Sequence, residues 1–304
     1  MPTTPPPSDP TPAPPLPPLP AGLRPGGRFA AWTRRRPGYV VADVDGTLIH
    51  EGTTATPGVA AAVAAAAAAG LRVGFATGRL PAGLSDLDAQ LRLPGPHVVH
   101  NGAQIRESGR PIHTWTIRSA TAAALVDWCV ARGVYAEFYL GEEFVVTERQ
   151  PAAQIFWDLI SGDPHGVVGD IDWGTAEVIK ATVVAYQGVG VDELLSGLHG
   201  LGLAAETSTS PVFPGDQFIN ITGPQVDKGR AVTWAADHLG VGLDGVVAVG
   251  DGLNDLSMLA VAGTAIAMGQ APEVVQRQAH LIVPEVAADG VAHALAAAAS
   301  WLAR

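Results

Sequence analysis

The sequence predicts an α/β fold: a mainly parallel sheet with helices between its strands, interrupted by an inserted α+β module. Three observations carry this. Tyr39-Val-Val-Ala is a short, uninterrupted apolar run, the pattern of a strand buried on both faces. A loop and then Thr56-Pro57 follow, an N-cap and a first-turn proline ahead of a helix over 58–69 that Gly70 closes. A strand over 71–76 completes a β–α–β unit, the opening of a parallel sheet.

The C-terminal third repeats the rhythm. Asp227 caps a helix over 229–239, stopped by Gly240. Strands over 246–249, 264–268 and 281–283 alternate with helices over 255–262, 272–279 and 291–302. The middle differs. A helix over 120–132 leads into a hairpin, 134–140 and 143–148, around Gly141. Helices over 151–161 and 192–198 and strands over 177–186, 203–208 and 217–222 follow. Strand pairs with few crossovers mark a separate module over 104–223, set into a core of 28–103 and 224–304. Residues 1–27 are dominated by proline, which supports neither helix nor ladder, and read as a disordered or polyproline II tail.

Composition narrows the function. Lys+Arg is 18 against Asp+Glu 29, a net charge of −11, which disfavours nucleic acid as the main partner. A small phosphorylated ligand remains compatible, since one metal ion and a few local cations reverse the field inside a cleft. The single cysteine, Cys129, sits in a helical run and reads as a small buried apolar residue. No apolar run approaches the ~20 residues that span a bilayer, and the expectation is a cytoplasmic protein without membrane partners.

Four segments stand just beyond the C-terminal ends of strands, where open parallel sheets bind ligands. In Asp43-Val-Asp45-Gly-Thr47, two carboxylates at i and i+2 can face one cleft if the chain turns at Gly46. One can attack phosphorus while the other works as acid and base. The same pattern occurs in calcium loops and ordinary turns, but Leu48-Ile49-His50 supplies no further oxygen ligands. Thr77-Gly78-Arg79 offers a hydroxyl and a backbone donor to a phosphoryl oxygen, and alone it is equally the form of a cap or turn. Lys228 opens a helix against its dipole, which suggests another use for its charge, while the segment taken alone favours a surface lysine. In Gly250-Asp251-Gly252-Leu253-Asn254-Asp255, Asp251 suits a hard cation, with Asn254 and Asp255 supporting it. Four aspartates in one cleft need a divalent cation, Mg²⁺ by preference, and Lys228 to keep Asp43 ionised.

Taken in order, these segments resemble the four motifs of the haloacid-dehalogenase-like superfamily. Asn101-Gly102-Ala103 and Ala267-Met268-Gly269-Gln270-Ala271 are similar to its Cof-type, type IIB branch. The resemblance spans residue 38 to the end. It implies a doubly wound, Rossmann-like core with an inserted α+β cap, and a Mg²⁺-dependent phosphatase acting on a small phosphate monoester. Sugar phosphates lead as the substrate class, by analogy. Asp43 is implied as nucleophile and metal ligand, and Asp45 as acid/base that lends a backbone carbonyl to the metal. Asp251 is implied as metal ligand, Thr77, Gly78, Lys228 and Asn254 as phosphate contacts, and Thr47 and Asp255 as support. Arg79 and Asn101 are candidate contacts to substrate or cap. In the cap, Glu137, Tyr139, Glu142 and Lys180 are polar or aromatic positions, with Lys180 read as an edge or surface residue. A phosphomutase or phosphotransferase of the same superfamily, or a non-catalytic binding protein, are the rival readings.

Overall fold

The computed structural model describes residues 19–150, 153–154, 157, 162–188, 190–210 and 213–302. Its centre is a parallel sheet of β2 (Tyr39–Ala42), β3 (Arg72–Phe75), β13 (Val246–Gly250), β14 (Thr264–Ala267) and β15 (Leu281–Ile282), in the order β15-β14-β13-β2-β3. Alternation along each strand sends side chains to two cores. Val40, Ala42, Val247, Val249 and Ile266 pack under α1 (Pro57–Ala68) and α8 (Gly290–Leu302). Tyr39, Val41, Val246, Ala248 and Ala265 pack under α5 (Lys228–His238), α6 (Leu256–Val261) and α7 (Glu273–Gln278). Helices on both faces make the sheet doubly wound, as the strand–helix alternation predicts. The start of α1 also follows the sequence: Thr56 Oγ1 accepts from the Val59 amide at 3.1 Å, with Pro57 in the first turn.

The second sheet is the cap. Its order is β11 (Ala204–Ser210), β12 (Phe213–Thr222), β10 (Lys180–Ala185), β7 (Ala136–Leu140), β8 (Glu143–Val146) and β9 (Gly166–Val167). All pairs are antiparallel except β8 with β9. One face is apolar: Phe138, Ala181, Val183, Ile219 and Ile221 pack against α3 (Ser119–Arg132) and α4 (Val191–Gly200). Cys129 is buried in that layer, where desolvation pushes its thiol up to about 12. The helix expected over 151–161 falls largely outside the described residues.

Two boundaries differ from expectation. Residues 104–114, expected in the cap, form β5 (Gln104–Glu107) and β6 (Arg110–Thr114), which hydrogen-bond to β4 (His97–Val99). Val98 bridges to Ala76 at the end of β3, and Ile105 is buried with Tyr39 and Val41, so burial ties this hairpin to the core. Of the proline-rich head, residues 1–18 lie outside the described residues. Arg24–Pro25, expected in the tail, instead pairs antiparallel with Leu281–Ile282 as β1. Neither that edge nor α2 (Ser85–Leu91) is anticipated by the pattern. Among the described residues, no helix is long and apolar enough to cross a membrane.

Two histidines brace the core sheet. His97 Nδ1 accepts from the Phe75 amide at 3.3 Å while Nε2 donates to the Leu93 carbonyl at 3.0 Å. His280 Nδ1 accepts from the Ala265 amide at 2.9 Å. An accepting ring nitrogen requires neutral imidazole, and burial pushes both rings down to about 4. The unfolded chain binds these protons first, so the stability they contribute is complete above the ordinary value of 6.5 and is lost as pH falls towards 4. The double variant His97→Asn/His280→Asn, whose amide oxygens take the same backbone bonds, is expected to lose less of its urea midpoint between about pH 7 and pH 5 than the wild type.

Candidate active site

The site forms where β3, β2 and β13 end side by side. Thr77, Asp43 and Asp251 each leave the C-terminal end of one of these three adjacent strands. The Asp43 amide still donates to the Val249 carbonyl at 2.8 Å, which fixes the nucleophile candidate to the sheet. The chain then folds back through Gly46 (φ 79°), where the amide donates to the Ile49 carbonyl at 2.9 Å. A Cβ at Gly46 would lie 2.3 Å from Asp251 Oδ2, so glycine is required twice, by conformation and by space.

Lys228 lies at the centre. Its Nζ donates to Asp43 Oδ1 at 2.5 Å and to Asp255 Oδ1 at 2.6 Å, and its side chain has no solvent exposure. Burial alone lowers the ammonium, but Asp255 and Asp43 outweigh it and hold it above the ordinary lysine value. Burial, with Asp255 beside it, pushes the Asp43 carboxyl well up against the pull of Lys228. Asp251 rises to about 6, first from burial and then from Asp255.

The carboxylates of Asp43, Asp251 and Asp255 each place an oxygen within 4.8 Å of the others. They differ in what they have free. Asp255 Oδ2 accepts from the amides of Asp251 and Gly252, both at 2.9 Å, and Oδ1 accepts from Lys228. It is committed to the protein. Asp43 and Asp251 keep acceptor capacity, although Thr47 Oγ1 donates to Asp251 Oδ1 at 3.2 Å and Gln270 Nε2 to Oδ2 at 3.2 Å. With all three carboxylates ionised, the one ammonium leaves two negative charges, the complement of one divalent cation. The donors are all oxygen, and a hard cation such as Mg²⁺ fits them.

The remaining sequence-predicted residues surround this centre. Arg79 grips Asp45 through Nε (2.9 and 3.2 Å) and Nη2 (2.5 Å) and donates Nη1 to the Gly83 carbonyl, so its guanidinium lies against the acid/base candidate. Thr77 is fully buried and its Oγ1 accepts from the Arg79 amide at 3.1 Å. Asn254 Nδ2 donates to Asn101 Oδ1 at 3.1 Å, and Asn101 Nδ2 donates to Glu206 of β11 at 3.0 Å. Asn101 thus joins the core loop to the cap. Gly78 presents its carbonyl to Lys180 Nζ at 2.9 Å. That overturns the reading of Lys180 as an edge or surface residue: it is 5% exposed, and burial pulls its ammonium down to about 8.

Sequence reasoning missed Gln270 and Glu206. Gln270 lies in the Ala267–Ala271 run already singled out, and its Nε2 also bonds the Gly46 carbonyl at 2.6 Å. Glu206 carried no signal, because nothing in Ala205-Glu206-Thr207 distinguishes a site carboxylate from a solvated one.

The sequence matches the haloacid dehalogenase-like hydrolases over residues 40–295. It is 26% identical over 279 residues to a 5-amino-6-(5-phospho-D-ribitylamino)uracil phosphatase of Bacillus subtilis, covering 84% of this chain and 95% of that protein. It is 25% identical over 271 residues to a pyridoxal phosphate phosphatase of Escherichia coli, covering 83% and 95%. Among solved structures, a subclass IIB sugar phosphatase of the same superfamily superposes with a TM-score of 0.73 at 26% identity, covering 85% of this chain and 98% of that one. The chain belongs to the haloacid dehalogenase-like hydrolases, as a phosphatase of their Cof-type, type IIB branch.

Lys228→Met would leave Asp43 and Asp255 buried without their counter-ion. Loss of one partner from such a buried pair costs about 3–5 kcal/mol. The metal-free variant is therefore expected to unfold at clearly lower urea than metal-free wild type, read by circular dichroism.

Proposed function

We propose that this chain is a Mg²⁺-dependent phosphatase that hydrolyses a small phosphate monoester, with sugar phosphates as the leading class, through an aspartyl-phosphate on Asp43. The observation that carries the reading is the position of Asp43. It is a buried carboxylate at a strand end, held by Lys228, with Asp251 beside it and Asp45 two residues on.

Asp43 and Asp251, with the backbone carbonyl of Asp45, would hold Mg²⁺, which would supply positive charge against the carboxylates and the phosphoryl oxygens. Lys228 fixes one oxygen of Asp43, which leaves the other to approach phosphorus along one line. Asp43 forms the new P–O bond as the bond to the leaving oxygen breaks. Asp45 delivers the proton to that oxygen and then takes one from the water that attacks the acyl-phosphate. Without substrate, Asp45 is paired with Arg79, so its acid role requires the carboxyl to turn from Arg79 towards the leaving oxygen as the ester binds. Thr77, the Gly78 amide and Asn254 are the neutral donors available to the phosphoryl oxygens, and together with Lys228 they would bind the group in flight.

The test is phosphate release from a mixed panel of phosphate monoesters, with Mg²⁺ and with EDTA. Metal-dependent release is expected from the wild type, with a loss of more than about a thousandfold in Asp43→Asn. Release that persists in Asp43→Asn would exclude Asp43 as nucleophile. Phosphate transfer only to an added sugar acceptor would make the enzyme a mutase.

A further inference from the structure

The apolar face of the cap sheet is covered by α3 and α4; the opposite face meets the catalytic core. Across that face runs a row of directly opposed polar residues. Glu137 on β7 pairs with Thr182 on β10, Thr182 with Asn220 on β12, and Asn220 with Glu206 on β11. The first three are at most 5% exposed. Four strands thus devote one register position to polar side chains that sheet packing alone would fill with Val or Ile.

Contacts place this row above the core loops. Lys180, two residues before Thr182 and on the same face, bonds the Gly78 carbonyl. Asn220 Oδ1 lies 3.8 Å from where a Cβ on Gly78 would sit. Glu206 takes the Asn101 amide, and Asn101 in turn holds Asn254. The loop that presents Asn101 is built at a conformational cost: His100, Asn101 and Gly102 are all left-handed, with φ of 53°, 54° and 102°.

The two carboxylates of the row are not equivalent. Glu137 is saturated by the Tyr135 and Tyr139 hydroxyls and by Trp157 Nε1. It also balances the charge of Lys180, whose ammonium is turned to Gly78 and lies 5.4 Å over the Tyr139 ring. Glu206 is half-buried and uses Oε2 for Asn101. Among the described residues, Oε1 has no hydrogen-bond partner. A carboxylate oxygen with open acceptor capacity, at the mouth of a site that binds a phosphate, accepts from a hydroxyl and repels a second anion.

On the phosphatase reading above, we propose that Glu206 is a specificity-determining residue. It accepts a hydrogen bond from a hydroxyl of the leaving group and discriminates against leaving groups with a second negative charge. The substrate is accordingly a phosphate ester of a neutral, polyhydroxylated compound, with Asn220 as a further partner for its hydroxyls.

The experiment compares kcat/KM for glucose 6-phosphate, 2-phosphoglycolate and p-nitrophenyl phosphate in wild type, Glu206→Gln, Glu206→Asp and the exposed control Glu193→Gln. Glu206→Gln is expected to shift the preference for glucose 6-phosphate over phosphoglycolate by about tenfold towards phosphoglycolate, mainly through KM. Glu206→Asp, which keeps the charge, should stay nearer the wild type, and Glu193→Gln should move the ratio by less than about twofold. An unchanged ratio in Glu206→Gln, or equal shifts in the Gln and Asp variants, overturns the assignment while leaving phosphatase activity itself intact. No release from any of the three esters by the wild type overturns both this assignment and the reading it rests on.

Discussion

One buried ammonium organises the catalytic end of the molecule. Lys228 joins the end of β2, through Asp43, to the start of α6, through Asp255. Asp255 passes the constraint on, because its other oxygen gathers the amides of Asp251 and Gly252 where β13 ends. A lysine in the first turn of a helix works against the helix dipole. Here the local disadvantage is offset by two carboxylates at hydrogen-bond distance, and by Asp227, which caps the same helix through the Arg230 amide at 2.7 Å. Break the lysine, and Asp43 loses its orientation while Asp255 keeps its two amides but loses its counter-ion.

The cap meets the core by a different physics from either interior. The links are mostly polar: Asn101 to Glu206, Lys180 to Gly78, and Arg106 to Glu142 at 2.7 Å. Leu80 is the one core side chain, among the described residues, in the apolar cluster on that cap face. Such hydrogen bonds carry a net worth of about 0.5–1.5 kcal/mol each, since water replaces them readily. The interface is therefore held largely by contacts that water can replace at modest cost.

What was legible in the sequence follows the same division. Buried strands with unbroken apolar runs, such as Tyr39–Ala42 and Val246–Gly250, announce themselves, and the helices between them carry caps such as Thr56 and Asp227. The motif residues were found because strand ends in a parallel sheet converge, and Asp43, Lys228, Asp251 and Asp255 do meet. The stretch from Ser85 to Thr114 was opaque. Its helix has seven residues, β4 has three, and β6 is mostly exposed, so neither helical nor alternating period accumulates. Lys180 and Glu206 were misread or missed for a related reason. A single polar residue on a strand looks solvated until the register sets it beside Thr182, Asn220 and the loops of another layer.

The edge strand β1 has a consequence of another kind. A parallel sheet with β15 at its margin offers unpaired amides and carbonyls to any passing strand, the usual seed of intermolecular sheet growth. Arg24–Pro25 occupies that margin, and Gly26 and Arg28 continue the cover by donating to the carbonyls of His280 and Ala279, both at 2.9 Å. Pro25 lacks an amide hydrogen and cannot extend a ladder outward. Residues 24–28 thus work as a guard rail along the margin of the sheet on the flank of the fold.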